Sequence, residues 1–173
     1  MQRKPVLVVL VGLGVLFVVI LTLWAYKPAL DAPFVFDDIP NIVNSPAIRW
    51  TEYSWENVVY LSDSSLLRTR PVANFSFALN HLHGGLEPRG YHLANVLIHL
   101  LTGAALLWLC VLYARNSGHV NMLAASNWQL VGPALLPVGL FLLHPLNTQA
   151  VTYVVQRMAS LAALFTLLAF ASY

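Results

Sequence analysis

The chain has 173 residues, 58% hydrophobic and only 9% charged, with a formal net charge of +2, whereas soluble domains carry roughly 25% charged residues. This balance excludes an ordinary soluble domain, and the scattered basic residues exclude a nucleic-acid partner. The single cysteine, Cys110, lies inside an apolar run, so there is no basis for a disulfide framework or a thiolate metal cluster. What remains is an all-α integral membrane protein, one membrane domain over 1–173, with the lipid bilayer as its first partner.

Met1–Lys4 is a short basic tail, and 5–26 is an apolar run with no charge inside it. At about 1.5 Å per residue the run reaches about 33 Å, enough for a hydrocarbon core of about 30 Å. It exceeds the roughly 7–15 apolar residues of a signal peptide, and no small-residue cleavage site follows. We read it as the first transmembrane helix. Arg3 and Lys4 place the N-terminus in the cytoplasm, and Trp24 and Tyr26 suit the far interface. The compartment is an inner (plasma) membrane or the endoplasmic reticulum.

Residues 27–91 are too polar and interrupted to cross and form a long non-cytoplasmic loop. Its basic residues (Lys27, Arg49, Arg68, Arg70, Arg89) run against the positive-inside rule, which loses force for loops beyond about 60 residues. Trp50, Tyr53, Trp55 and Tyr60 are suited to the bilayer interface, and Pro71 to His83 to a short interfacial or re-entrant helix stopped by Gly84-Gly85. Every acidic residue of the chain falls between the first and second apolar runs. Any carboxylate chemistry is therefore done here, and the adjacent Asp37 and Asp38 are its candidates. The other reading of this pair, followed by Ile39-Pro40, is a turn or helix cap at the membrane surface.

The second crossing is 93–113. His92, Asn95, His99 and Thr102 recur at spacings of three, four and three, which puts them on one helical face. Lipid penalises such a face, so it points into a bundle or a wet cavity. Interhelical hydrogen bonding and direct substrate or metal contact both remain open for it, although two histidines seven apart make a poor metal site. A polar connection, 114–127, is assigned to the cytoplasm. The third crossing, 128–144, carries Pro133 and Pro137, which kink a membrane helix without forbidding it. An external polar helix, 145–157, follows, with Thr148, Thr152 and Gln156 on one face, and Arg157 stands before the last run, 158–173. That arginine is either an interfacial anchor or a ligand for a lipid phosphate.

FVFDD at 34–38, RPVANFSFALN at 70–80, GLEPRGYHLANVLIH at 85–99 and HPLNTQAVTYVVQRMASLAALF at 144–165 occur in this order. Together they resemble the amino-terminal membrane region of the transmembrane and tetratricopeptide-repeat proteins, O-mannosyltransferase-like relatives of the GT-C superfamily. The resemblance implies the first part of a multipass glycosyltransferase that takes a sugar from a polyprenyl-phosphate donor to a protein hydroxyl on the non-cytoplasmic face. It makes Asp37 or Asp38 the base for the acceptor hydroxyl and Arg157 the group on the donor phosphate. Arg70, His92, Asn95, His99 and Gln156 complete the candidate substrate-binding set. No metal ligand set is implied, and a divalent metal requirement is left open. Gln149 departs from the glutamate of many relatives, so a second acid is missing there.

The resemblance also implies later helices and repeats that these residues do not contain, which points to a fragment or truncated product. The last run, about 16 residues, is just short of the usual 17–25 or so. Two further readings stand beside the enzyme. One is a noncatalytic scaffold or accessory component that packs against other membrane subunits through the His92–Thr102 face. The other is a metal or haem site drawn from His81, His83, His92, His99 and His144.

Overall fold

The computed structural model describes residues 3–64, 69–116 and 127–173. The middle of the connection assigned to the cytoplasm lies outside these residues, as does Arg68. Seven α-helices are described: α1 Arg3–Tyr26, α2 Trp55–Ser64, α3 Pro71–Gly84, α4 Pro88–Asn116, α5 Asn127–Leu143, α6 Thr148–Thr152 and α7 Arg157–Ser172. Short 3-10 and π turns join them, and no strand occurs among the described residues. Three helical stretches, Pro5–Asp31, Pro88–Asn116 and Val154–Ser172, are long and apolar enough to cross a membrane. A fourth passes only if Gln129–Leu143 and Pro145–Thr152, bent by 48°, count as one. The chain is an all-α membrane protein.

Contacts divide it into two compact units. The first comprises Met1–Lys27, His99–Asn147 and Ala162–Tyr173. Here α1 packs along α5 through aliphatic side chains and small residues. A Cβ placed on Gly14 would lie 3.0 Å from Leu135 Cδ1, and one on Gly103 would lie 2.8 Å from Leu142 Cδ2. α5 runs through Pro133 and Pro137, and the break comes afterwards, at His144-Pro145. Pro145 has no N–H, so the Phe141 carbonyl loses its helical partner, and Asn147 Nδ2 donates to it instead at 2.6 Å. The next N–H, of Leu146, donates to His144 Nδ1 at 3.2 Å. The Leu142 carbonyl, freed in turn, is taken by His99 Nε2 at 3.0 Å. His-Pro-Leu-Asn is thus a helix stop whose orphan carbonyls are met by side chains.

The second unit comprises Pro28–Ile98 and Thr148–Leu161. Its core gathers Ile42, Ile48, Trp50, Phe77, Tyr91 and Val154, all 3% exposed or less. Trp50 departs from the interfacial expectation. It is buried, donates its indole N–H to the Ala47 carbonyl at 3.1 Å and packs edge-on against Phe75. Tyr53, Trp55 and Tyr60 are exposed. α3 ends where the sequence predicts, with Gly85 at φ +61, a backbone region that glycine enters without steric cost.

The expected polar helix over 145–157 is broken. α6 stops at Thr152, Tyr153 is extended, and Val154–Gln156 forms a separate 3-10 turn. A continuous helix would join the Val155 N–H to the Val151 carbonyl. Here the Val155 N–H donates to Asp38 Oδ1 at 2.7 Å, and the Val151 carbonyl accepts from Asn95 Nδ2 at 3.1 Å. Two side chains replace one helical bond, in a run rich in β-branched residues that lose side-chain freedom in a helix. The four-residue polar spacing therefore does not continue past Thr152 on one helix.

Candidate functional site

Within the second unit the segment Tyr153–Met158 is the hub. Tyr153 Oη accepts the Asp37 N–H at 2.8 Å, the Val155 N–H reaches Asp38, and Met158 Sδ accepts from Arg70 Nη1 at 3.0 Å. Most of the residues singled out by sequence converge on this short stretch.

The two acids are placed differently. Asp38 is 1% exposed. Its Oδ1 accepts from Val155 and its Oδ2 from the Val35 N–H at 3.1 Å, so the carboxylate closes its own turn and fixes the break after α6. Burial raises its pKa above the ordinary value. The Val35 and Val155 N–H groups, and the nearby His92, oppose that shift. Asp37 is exposed, while its main chain is held on both sides. The N–H goes to Tyr153, and the carbonyl accepts from the Asn41 N–H at 3.2 Å and from Asn41 Nδ2 at 2.7 Å. The turn enters through Phe36, at φ +45 the sole non-glycine with positive φ among the described residues.

Arg157 is 0% exposed. Its Nε donates to Asn95 Oδ1 at 2.8 Å, its Nη1 to Asn80 Oδ1 at 2.7 Å and Ser76 Oγ at 3.1 Å, and its Nη2 to the Tyr91 carbonyl at 2.8 Å. The guanidinium carbon lies 4.6 Å from the centre of the Phe77 ring and 5.8 Å from that of Tyr91, distances at which an aromatic face attracts a cation. The acceptors share the charge by hydrogen bonding and carry no formal negative charge of their own. Beside it opens a groove of about 330 Å³, with Ser76, Asn80, His83 and Arg157 as polar lining and Leu79 and Leu97 on its walls. The ion pair among the described residues is Arg89–Asp31, exposed and 3.3 Å long. Neither acid of the pair forms one with Arg157.

The α4 stripe is buried throughout: His92 1%, Asn95 0%, His99 5% and Thr102 3% exposed. His92, Asn95 and His99 each bond a backbone carbonyl. His92 Nε2 bonds the Ala32 carbonyl at 3.0 Å, and its buried Nδ1 has no partner among the described residues. Asn95 spans the Val151 carbonyl and Arg157. His99 belongs to the first unit, where its ring lies between Tyr26 and Phe141 at 5.4 and 5.2 Å. Arg70 is exposed, with its bond to Met158, and Gln156 is half-buried on the 3-10 turn. No group of three His, Cys, Asp or Glu side chains positioned to hold a metal occurs among the described residues.

Sequence reasoning passes over Tyr153, Ser76, Asn80 and the Tyr91 carbonyl. Ser76 and Asn80 stand four apart on α3, as Tyr91 and Asn95 do on α4, so each pair shares a helical face. That spacing was the available signal, masked by the apolar residues between.

These features define an α-helical membrane protein whose second unit carries an exposed carboxylate on a fixed turn and a buried arginine held by four acceptors. The chain is 30% identical over 163 residues to the mouse (Mus musculus) protein named Protein O-mannosyl-transferase TMTC4, covering 88% of this chain. It is 33% identical over 156 residues to mouse Protein O-mannosyl-transferase TMTC1, and 35% identical over 165 residues to Drosophila melanogaster Protein O-mannosyl-transferase Tmtc3, each over 86% of this chain. The resemblance to O-mannosyltransferase-like proteins thus holds over most of the chain. The chain spans between 15% and 22% of the length of these curated relatives. No protein-family model matches it, and no solved structure does.

Proposed function

We propose that this chain forms part of a glycosyltransferase that moves a sugar, mannose by analogy with the relatives' names, from a polyprenyl phosphate to a protein hydroxyl. The site faces the non-cytoplasmic side of an inner (plasma) or endoplasmic-reticulum membrane, with the N-terminus in the cytoplasm. The observation that carries the reading is the exposed Asp37 carboxylate on a backbone pinned by Tyr153 and Asn41. A base must be within reach of substrate and must not wander, and Asp37 meets both conditions.

In the reaction the acceptor oxygen bonds to the anomeric carbon as its proton passes to the Asp37 carboxylate. The bond from that carbon to the phosphate oxygen breaks, and the polyprenyl phosphate leaves with the bonding electrons. A fixed cation stabilises the charge growing on that phosphate. Arg70, exposed and bonded to a thioether that accepts only weakly, is free to make this contact. Arg157, already committed to four acceptors, holds α3, α4 and α7 together and forms the floor of the groove beside Leu97, where His83 adds a further polar edge. Asp38 and Asn95 fix the broken segment, His92 holds the Ala32 carbonyl, and Gln156 and His99 take no direct part.

The test is a transferase assay on the whole protein in nanodiscs, with Asp37→Asn, Asp38→Asn, Arg70→Ala and Arg157→Ala made singly and the folded yield of each measured. Asp37→Asn and Arg70→Ala are expected to lose activity at normal yield, and Asp38→Asn and Arg157→Ala to lose yield first. Normal turnover in all four at normal yield would refute the catalytic assignment. The scaffold reading draws on one specific observation, that Asp38 and Arg157 are both buried and internally satisfied. It predicts that Asp37→Asn changes nothing.

A further inference from the structure

We propose that Tyr153 is a positioning residue, which acts on the reaction only by holding Asp37. The inference rests on the glycosyltransferase reading above and adds a residue that no sequence motif had singled out.

The break after α6 costs a helical hydrogen bond, which Asp38 and Asn95 replace, and the turn that follows it seats Val154 and Val155 in the core. The break also puts Tyr153 in extended backbone, φ −90 and ψ 113, between two short helical turns. From there the phenol oxygen meets the Asp37 N–H at 2.8 Å. Had the helix continued, the residue at 153 would have followed the helical screw instead. On the other side of the acid Phe36 is held at φ +45, a region that bulky residues rarely enter. Strain of this kind persists only where surrounding contacts impose it. Its ring meets Tyr153 edge to face at 6.5 Å, and Asn41 closes the turn through the Asp37 carbonyl. Tyr153 therefore makes the hydrogen bond from outside the turn that reaches Asp37 itself. A carboxylate left exposed on a loop would otherwise sample many positions, and misplacement by about 1 Å can cost on the order of 100-fold in rate.

The experiment is a double-mutant cycle on the whole protein in nanodiscs, with polyprenyl-phosphate mannose as donor and a serine- and threonine-containing peptide as acceptor. Tyr153→Phe keeps the ring contact and removes the hydroxyl. It is expected to lower kcat about 10- to 100-fold with KM for both substrates unchanged. Asp37→Asn should fall further, and the double variant should match Asp37→Asn, because nothing remains for Tyr153 to position. If Tyr153→Phe turns over normally, or if its loss multiplies that of Asp37→Asn, the inference is overturned while the transferase reading survives. If the folded wild-type protein transfers no sugar, the transferase reading fails and takes the inference with it. Should Tyr153→Phe fold poorly, ring-fluorinated tyrosine at the same position keeps ring and hydroxyl and weakens the acceptor. It must then lower kcat by itself, and unchanged turnover would overturn the proposal.

Discussion

The two units of this chain solve the same problem, hiding a helical backbone in an apolar setting, by different means. Around α1 and α5 long apolar helices keep their hydrogen bonds internal, and close approach comes from glycines such as Gly14 and Gly103. Among the described residues there, polar side chains take up freed backbone groups at the stop around His144. In the unit of Pro28–Ile98 and Thr148–Leu161 the chain is more often interrupted, and side chains distant in sequence meet freed backbone groups: Asp38 that of Val155, His92 that of Ala32, Asn95 that of Val151. Continuous helix demands only composition, whereas broken helix demands specific partners. The second arrangement is the one that leaves a carboxylate in a defined, reachable place.

If this contrast is right, the largest effect comes from Arg157→Ala. It leaves Asn95 Oδ1, Asn80 Oδ1, Ser76 Oγ and the Tyr91 carbonyl without a shared donor in a buried place. Each buried acceptor left unsatisfied typically costs about 1–3 kcal/mol, and several together are a large part of the roughly 5–15 kcal/mol that stabilises a domain. Folded yield in detergent, followed by size-exclusion profile, should collapse. Arg157→Lys should rescue it poorly, since an ammonium cannot span acceptors laid out for a planar fork. A normal yield for the alanine variant would mean that the second unit does not depend on its polar partners.

Asp38→Asn comes next. The amide offers one acceptor oxygen where two N–H groups now need one each, so either Val35 or Val155 faces an NH2 group, at a cost of about 1–3 kcal/mol. Denaturant titration should show this drop. The pH dependence has a definite sign. Burial raises the folded pKa of Asp38 above the ordinary 3.8. The folded state therefore binds more protons than the unfolded one between those two values. The stability linked to this proton is fully present below the unfolded pKa and is lost as pH rises through the folded pKa. The gap between wild type and Asp38→Asn should narrow over that window as pH increases. A widening gap would mean that the two N–H bonds outweigh burial.

Much of this was legible in the sequence, and the part that was not has a physical cause. The apolar runs gave the long helices because a span in lipid has to satisfy its own backbone. The three-four-three spacing gave the buried face of α4, since polar groups on one helical face must find partners. The break at Tyr153 was not legible. It depends on Asp38 and Asn95, distant in sequence, outcompeting a local hydrogen bond, and Thr148, Thr152 and Gln156 retain a helical spacing across it. Trp50 misled for a similar reason. An indole near a membrane surface suits an interface, but the Ala47 carbonyl and the core around Phe77 offered it both a hydrogen bond and burial. The distinction between Asp37 and Asp38 was equally hidden, because adjacent identical residues differ only in what the fold brings to each.

A smaller effect tests the first unit. A methyl on Gly103 would meet Leu142 Cδ2 at 2.8 Å, Cδ1 at 2.9 Å and Cγ at 3.0 Å, and Leu142 is itself buried. Overpacking of about 1–3 kcal/mol is partly offset by the roughly 1 kcal/mol that alanine gains over glycine in a helix. Gly103→Ala should therefore destabilise by about 1 kcal/mol in thermal unfolding. Gly12, on α1 with nothing within 4 Å of its Cβ position, provides the control, and Gly12→Ala should be neutral or stabilising. Equal effects at the two sites would show that close packing at Gly103 does not hold this unit together.

The smallest expected change in stability is at Asp37, and it sharpens the comparison most. Asp37→Asn keeps the backbone N–H to Tyr153 and the carbonyl to Asn41, and alters only an exposed side chain. Surface substitutions of this kind usually stay within about 0.5 kcal/mol. Thermal unfolding of Asp37→Asn should overlay the wild type while Asp38→Asn, one residue away, shifts clearly. Such a result separates a residue that builds the turn from one that the turn presents. Selection for the fold alone gives no reason to place an acid at position 37, so a silent effect on stability joined to a loss of transferase activity assigns it to chemistry. A shift as large as that of Asp38→Asn would instead make both acids part of the scaffold, and the exposed carboxylate would lose its claim to be the base.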